Sequence, residues 1–441
     1  VYKRQVERGM PVGLINVADP DAIVSWMADN VLNDPTKPDG VLIDEFSGGN
    51  APAFAGYAEA ARRIANDRRF DGVALYPYFG GHYPLTDDWR VGAPEASDNS
   101  GHFIRETFDA ATADGERGSA NWWVSWERYL REFRHVDDAV GAMDDRFLDS
   151  IREWRTFYPE AQRRMMIALG YLTITESINL HPSVDFKVFM DMQLQYLATH
   201  EEFDGLAGVY EYLSSYADEE SARFAPRLYR HYCIEGNTNL YTERFGWRYN
   251  PDIIRNADFE DWWDTWRFPI VEQERSMRAV SIPGYSHLQG RWPRTTIGDT
   301  ALVMKRRANS ANTLSQPLRN IVPGRYYSAK LITGDYRAFV EGRSENSRHG
   351  VRILLRGDAE ILPDRSFTAV VPNNYAHTLE PFVGDTHYYF NWHLVVFKAT
   401  GPNITLTISD WLTDAAPQAP VGQEVLYNFV EVQPFWIGDE S

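Results

Sequence analysis

Two hydrophobic patterns divide the 441-residue chain near residue 250. Before that point, short apolar runs alternate with longer amphipathic stretches, a βαβα rhythm that is typical of a parallel sheet covered by helices. After it, short strands follow one another at close spacing, separated by Gly and Pro turns. We therefore predict two domains, residues 1–250 and residues 251–441.

The first half contains six candidate strands: Leu14–Val17, Val41–Phe46, Val73–Phe79, Trp122–Leu130, Met165–Leu172 and Leu206–Ser214. A complete (β/α)₈ barrel has eight strands in about 250 residues. The chain begins at Val1 without an initiator Met, so we expect a truncated N-terminus and count the visible strands as three to eight. The predicted fold is an N-terminally truncated (β/α)₈ TIM-type barrel followed by an all-β jelly-roll sandwich. An open doubly wound sheet is the alternative for the first half.

Charge and composition exclude several classes of partner. The net charge is −18, whereas binding to nucleic acid or anionic membranes needs clustered Lys and Arg. No run of 18 apolar residues exists, so we predict no membrane span. Cys233 is the only cysteine, which excludes a disulfide within the chain, and its amphipathic surroundings predict a buried structural thiol.

Three predicted strands end in carboxylates, and active sites of barrel enzymes lie at the carboxyl ends of strands. Asp44 and Glu45 follow an apolar run, Glu127 ends an aromatic strand and Glu211 stands between two tyrosines. The aromatics around Glu127 predict a raised pKa that suits a general acid. The tyrosines beside Glu211 predict a carboxylate that is held ionised, as in a nucleophile.

Paired carboxylates are the groups that glycosidic cleavage requires, because one protonates the leaving oxygen and the other attacks or activates water. The pattern therefore predicts an O-glycoside hydrolase (EC 3.2.1.-) whose chemistry requires no cofactor. We predict no metal, since there is no His-Glu-x-x-His motif. Aromatic and polar residues near the strand ends are the predicted contacts to a sugar: Tyr76, Tyr78, His82, Trp126, Tyr171, Tyr210 and Tyr212.

The segment from Asp39 to Phe46 resembles the strand end "DGxxxDEF" of several glycoside hydrolase-like barrel families. If Glu45 ends strand four and Glu127 strand six, the arrangement resembles alpha-galactosidase-type barrels. If the count is off by one, Glu45 with Glu211 resembles the retaining clan that uses strands four and seven. The chain lacks both the Lys-x-Asp motif of the former and the Asn-Glu pair of the latter, so the active pair stays open.

The second half resembles a jelly-roll carbohydrate-binding module through "NADFE…W", "VPGRYYSAKLIT" and "YNFVEVQPF". That resemblance implies a poly- or oligosaccharide partner, a structural Ca²⁺ in the β-sandwich and an extracellular or periplasmic location. Two other hypotheses stay open: a non-catalytic glycan-binding or scaffold protein with a degenerate barrel, and a structural protein. The sequence makes no prediction of the oligomeric state.

Overall fold

The computed structural model describes residues 18–34, 40–43, 51–71, 73–80, 124–128, 130–157, 159–170, 181–212, 217–261, 266, 276–285, 298–373 and 387–438. The chain is divided into two compact units. The parallel-sheet unit comprises Val1–Leu130, Gly141–Gly170 and Leu197–Tyr212. The antiparallel-sheet unit comprises Arg131–Val140, Tyr171–Tyr196 and Leu213–Ser441. The predicted domain boundary at residue 250 stays a prediction.

Five parallel strands form the first sheet, in the order of the chain: β1 Gly40–Ile43, β2 Ala74–Gly80, β3 Val124–Glu127, β4 Met165–Gly170 and β5 Gly208–Tyr212. Strand β4 is apolar along its length because both of its faces are covered, and Met165, Ile167, Ala168 and Leu169 are fully buried.

The described helices are α1 Pro20–Met27, α2 Ala51–Ala65, α3 Val136–Met143, α4 Ser150–Phe157, α5 Phe186–Thr199, α6 Glu219–Tyr229 and α7 Tyr336–Val340. Asp19 caps α1 by accepting the Asp21 backbone N–H at 3.0 Å, and Asp218 caps α6 by accepting that of Ser221 at 2.7 Å. A π turn, Arg230–Ile234, continues α6. Among the described residues, no helix is long and apolar enough to cross a membrane.

The second sheet is antiparallel and has eight strands: β6 Met277–Ser281, β7 Thr300–Lys305, β8 Thr313–Pro317, β9 Tyr326–Asp335, β10 Arg352–Ile361, β11 Phe367–Asn373, β12 Tyr388–Ser409 and β13 Glu424–Pro434. Its main path runs β10-β12-β9-β13-β7-β6. The long strand β12 joins the parts, because its first half pairs with β9 and β11 and its second half with β10 and β8.

Both faces of the antiparallel sheet are buried along β7. Along β7, Leu302 and Met304 enter one apolar core, and the alternating residues Ala301 and Val303 enter a second core on the opposite face. The "NADFE" segment contributes Phe259 to the first core, where it stacks on Trp266 at 5.5 Å between ring centroids. This motif therefore anchors the segment that precedes the sheet.

The predicted architecture, a truncated (β/α)₈ barrel followed by a jelly-roll sandwich, is wrong. Within the described part of the chain, β1 pairs with β2 and β5 with β4, and no pairing between β1 and β5 closes the sheet into a ring. The second half is one curled antiparallel sheet that is continuous through β12, instead of two separately hydrogen-bonded sheets. Antiparallel strands make up most of the described strand residues.

Candidate functional site

The carboxyl edge of the parallel sheet brings together several of the predicted site residues. Tyr78 is level with Ser125 in the register of β2 and β3, and Glu127 is level with Ala168, which pairs with Tyr210. In parallel sheets, open ones included, ligands bind outside the carboxyl ends of the strands. This edge is therefore the first place to search for a site.

Hydroxyl groups form a cluster on one face of this edge. The Ser125 Oγ and Tyr210 hydroxyls, 85 residues apart in the chain, are hydrogen-bonded to each other. The ring of Tyr78 lies 6.4 Å from that of Tyr210, centroid to centroid. Ser125 and Tyr78 are buried and Tyr210 is half-buried, so Tyr210 is the member of the cluster with a partly exposed surface.

Glu211 lies on the opposite face from Tyr210, because successive residues of a strand alternate sides. It pairs with Leu169 and is half-buried. Burial raises the pKa of its carboxyl above the usual range of glutamate. The protonated form therefore persists to higher pH, which suits a proton donor. This differs from the expectation that neighbouring tyrosines hold Glu211 ionised, since the Tyr210 hydroxyl bonds to Ser125 instead.

Glu127 is the last residue of β3 and lies two strands away from β5. Its register position corresponds to Tyr210 and not to Glu211. The joint action of Glu127 and Glu211 therefore stays a prediction, and regular strand geometry alone does not place the two on one face.

Trp126 belongs to the interior of the parallel-sheet unit. Its side chain is fully buried, and the Arg128 guanidinium carbon lies 3.4 Å from its ring centroid. An indole in this position has no exposed surface on which a sugar could stack. Tyr76, on β2, is half-buried.

Each of the other predicted site residues either has a strand position in the structure or lies outside the described ranges. Tyr212 is the last residue of β5. Asp44, Glu45, His82 and Tyr171 lie outside the described residues. The residues that the structure describes contain no group of three or more His, Cys, Asp or Glu side chains that could hold a metal ion. The structural Ca²⁺ stays a prediction.

A cleft in the antiparallel-sheet unit was missed by the sequence analysis. It has a volume of about 440 Å³ and an aromatic wall in which Phe367 meets Trp392 edge to face at 5.1 Å. Phe367 is 45% exposed, an unusual position for a phenylalanine on a strand. The remaining lining is mostly charged: Ala217, Asp218, Glu219, Glu220, Lys330, Asp364, Arg365, Leu394 and Phe435.

The two buried acids of this cleft, Glu220 and Asp218, have pKa values that are shifted in opposite directions. Burial raises the pKa of Glu220 to about 7, although Lys187 lies 3.2 Å away. For Asp218, burial acts in the same direction, but Lys330 and the Ser221 N–H outweigh it and lower its pKa. From the sequence, acids at the start of a helix are accounted for by favourable interaction with the helix dipole. No local pattern indicates that residues 218–220 lie beside the strands that contain Phe367 and Trp392.

The chain matches no protein-family model and no curated protein. Among solved structures it is similar to TmCBM61 in complex with β-1,4-galactotriose, with 12% identity and a TM-score of 0.22 over 42% of this chain and 98% of that one. It is also similar to the enzymatically active domain of bacteriophage CBA120 tailspike protein 4, with 10% identity and a TM-score of 0.23 over 62% of this chain and 30% of that one. Values this low support no argument about fold or function.

Proposed function

We propose that this chain acts on poly- or oligosaccharides as an O-glycoside hydrolase, with Glu211 as the proton donor. The observation that carries the proposal is a half-buried carboxyl with a raised pKa at the carboxyl edge of a parallel sheet. A carboxylic acid that stays protonated to higher pH than an ordinary glutamate is suited to protonating a glycosidic oxygen.

A second carboxylate must attack the sugar or activate water. Glu127, Asp44 and Glu45 are the candidates that remain from the sequence. An extracellular or periplasmic location is part of the same proposal.

The test compares the wild-type protein with Glu211→Gln on a panel of soluble polysaccharides that includes β-1,4-galactan, xylan and a mixed-linkage glucan. We expect release of reducing sugar from at least one of them, and about a 100-fold or greater loss in Glu211→Gln because general acid catalysis contributes that much. Glu160→Gln, which removes a surface carboxylate of the same unit paired with Arg163, is the control and should retain turnover. Full activity in Glu211→Gln would refute the assignment.

Non-catalytic glycan binding is the second candidate, and the exposed Phe367 beside Trp392 favours it. Aromatic rings facing a cleft are suited to the apolar faces of sugars. Titration calorimetry with galactotriose, xylotriose and cellotriose should then show binding that survives Glu211→Gln but is lost in Phe367→Ala. Val421→Ala, at another exposed apolar residue, which does not line the cleft, is the control. Binding without turnover on any substrate would select this second function.

A further inference from the structure

A second cavity of the antiparallel-sheet unit, also of about 440 Å³, belongs to neither site described above. Its wall combines the turn at residues 181–184 with residues 250–261. Polar and charged side chains that line it include Arg134, His135, His181, Ser183, Asn250 and Asp258.

Hydrogen bonds to Glu132 and Asn250 fix the turn His181-Pro182-Ser183-Val184. The Val184 N–H donates to the His181 carbonyl at 2.9 Å, which closes the turn. Glu132 accepts the His181 backbone N–H. The Asn250 side-chain amide donates to the carbonyls of Ser183 and Arg134, each at 3.1 Å. The side chains of His181 and Ser183 are therefore held in a defined relation to each other.

The imidazole of His181 lies between a hydroxyl and a carboxylate. The Ser183 Oγ lies 2.7 Å from His181 Nδ1, and the Ser183 backbone N–H donates to the same nitrogen at 3.2 Å. Nδ1 is thus the acceptor, and the ring proton is on Nε2. Nε2 lies 3.8 Å from Asp258 Oδ2 and is buried, with no hydrogen-bond partner among the described residues.

A hydroxyl, an imidazole and a buried carboxylate in that order are the elements of nucleophilic acyl transfer. We propose that Ser183, His181 and Asp258 form a site that hydrolyses small carboxylic esters, such as acetyl esters. This activity is separate from glycoside cleavage and does not depend on Glu211.

The reaction balances through the groups present. The Ser183 Oγ attacks the ester carbonyl carbon while its proton passes to His181 Nδ1. The carbon–oxygen bond to the alcohol then breaks, and the alcohol leaves with that proton. Water attacks the acyl-serine in the same way, which releases the carboxylic acid and restores the Ser183 hydroxyl.

Asp258 and Arg134 are the charged groups that would stabilise the charges formed during the reaction. Asp258 is placed to stabilise the imidazolium as it forms, and a 3.8 Å separation is of the kind that shortens when substrate binds. Arg134 lies near enough for its charge to lower the pKa of His181, and the same charge would stabilise an oxyanion in the cavity. Burial is the first cause of that lowering, to about 4, so His181 is neutral at neutral pH and its protonation during the attack depends on the Asp258 carboxylate.

An ordinary capped turn is the competing explanation, because Ser side chains often bond to neighbouring groups in turns. The reactivity of the Ser183 hydroxyl distinguishes the capped turn from a catalytic site. Wild-type protein at pH 8 is treated with a fluorophosphonate, which modifies activated serines, and the adduct is located by peptide mass spectrometry. We expect modification at Ser183, no adduct at that position in Ser183→Ala, and at least 100-fold slower labelling in Asp258→Asn.

Hydrolysis of p-nitrophenyl acetate supplies a second readout, which Ser183→Ala should abolish and Ser310→Ala, at an exposed loop serine, should not change. Circular dichroism checks that each variant is folded. Absence of an adduct on Ser183, in a sample where an added serine hydrolase is fully labelled, would overturn the proposal. Ester turnover that persists in Ser183→Ala would do the same. Neither outcome bears on Glu211 or on glycan cleavage.

Discussion

Lys330 and Glu431 form a buried ion pair across strands β9 and β13, with Nζ 2.9 Å from Oε1 and side chains 10% and 3% exposed. The same Nζ lies 3.2 Å from Asp218 Oδ2. Burial alone would lower the pKa of Lys330, but Glu431 and Asp218 outweigh it and raise the pKa overall. One ammonium group therefore lies within reach of two buried carboxylates, and two of the three residues, Lys330 and Asp218, line the cleft.

Lys330→Met should destabilise the antiparallel-sheet unit strongly. The substitution preserves most of the side-chain volume but leaves Asp218 and Glu431 without their shared cation, and removing one partner of a buried pair costs about 3–5 kcal/mol. Urea unfolding at pH 7 measures the change. Arg343→Ala, which breaks only exposed pairs with Glu341 and Glu345, should cost far less, because solvent screens such pairs. Equal costs for the two variants would contradict this account.

Two buried histidines, His349 and His393, each make a contribution to stability that rises with pH. The Thr333 hydroxyl lies 2.8 Å from His349 Nδ1 and 3.0 Å from His393 Nε2. Burial lowers the pKa of His349 to about 4 and that of His393 to about 3. Between pH 4 and 6.5 the unfolded chain binds more protons than the folded one, so the free energy of unfolding increases with pH, by on the order of 2 kcal/mol per histidine.

The measurement is urea unfolding of the wild type and of His349→Gln at pH 4.5 and pH 6.5. The difference between the two pH values should be smaller in the variant. Glu220 acts in the opposite direction, because its raised pKa of about 7 makes stability fall as pH rises from about 4.5 to 7. Glu220→Gln should therefore steepen the rise, and an unchanged pH dependence in both variants would exclude these groups as its cause.

Local sequence pattern found the five strands of the parallel sheet but not their assembly, and the predicted strand Leu14–Val17 lies outside the described residues. The apolar run Met165–Leu172 contains β4, and Leu206–Ser214 contains β5, because apolar runs between turn signals indicate strands whatever surrounds them. Closure into a barrel depends on pairing between the first and last strands, which no local pattern encodes. The same holds for Ser125 and Tyr210, and for His181 and Asp258, which meet only through tertiary structure.

Cys233 shows how a helical period can mislead. The amphipathic pattern predicted a buried thiol, but Cys233 is exposed while the preceding His231 and Tyr232 are buried. Residues Arg230–Ile234 form a π turn, which has more residues per turn than an α-helix. The side chains that follow α6 therefore point in other directions than a regular α-helix would give them, and Cys233 faces solvent.

The raised pKa of Glu211 predicts the shape of the pH profile for glycan hydrolysis. The protonated carboxyl is the active form of a general acid, so turnover should fall as pH rises through its pKa, above the usual range of glutamate. Initial rates between pH 4 and 9 measure this alkaline limb. Any residual turnover in Glu211→Gln should lack the limb, since Gln does not titrate. A limb that is retained in the variant would assign it to another group.

Gly357 gives a stability prediction with an internal control. It lies at a bulge of β10, where the register with β12 shifts, and has a φ of +98°. An added Cβ would lie 2.1 Å from the Asn403 carbonyl oxygen of β12, a backbone atom that cannot rotate away. Gly357→Ala should therefore cost about 3 kcal/mol or more, from strain and steric overlap together. Gly422 has a φ of +85° but open space around a Cβ, so Gly422→Ala should cost only about 1–2 kcal/mol. Urea unfolding of the two variants distinguishes the cost of backbone strain from the cost of steric overlap. An equal decrease in the free energy of unfolding would show that the close approach to Asn403 contributes nothing.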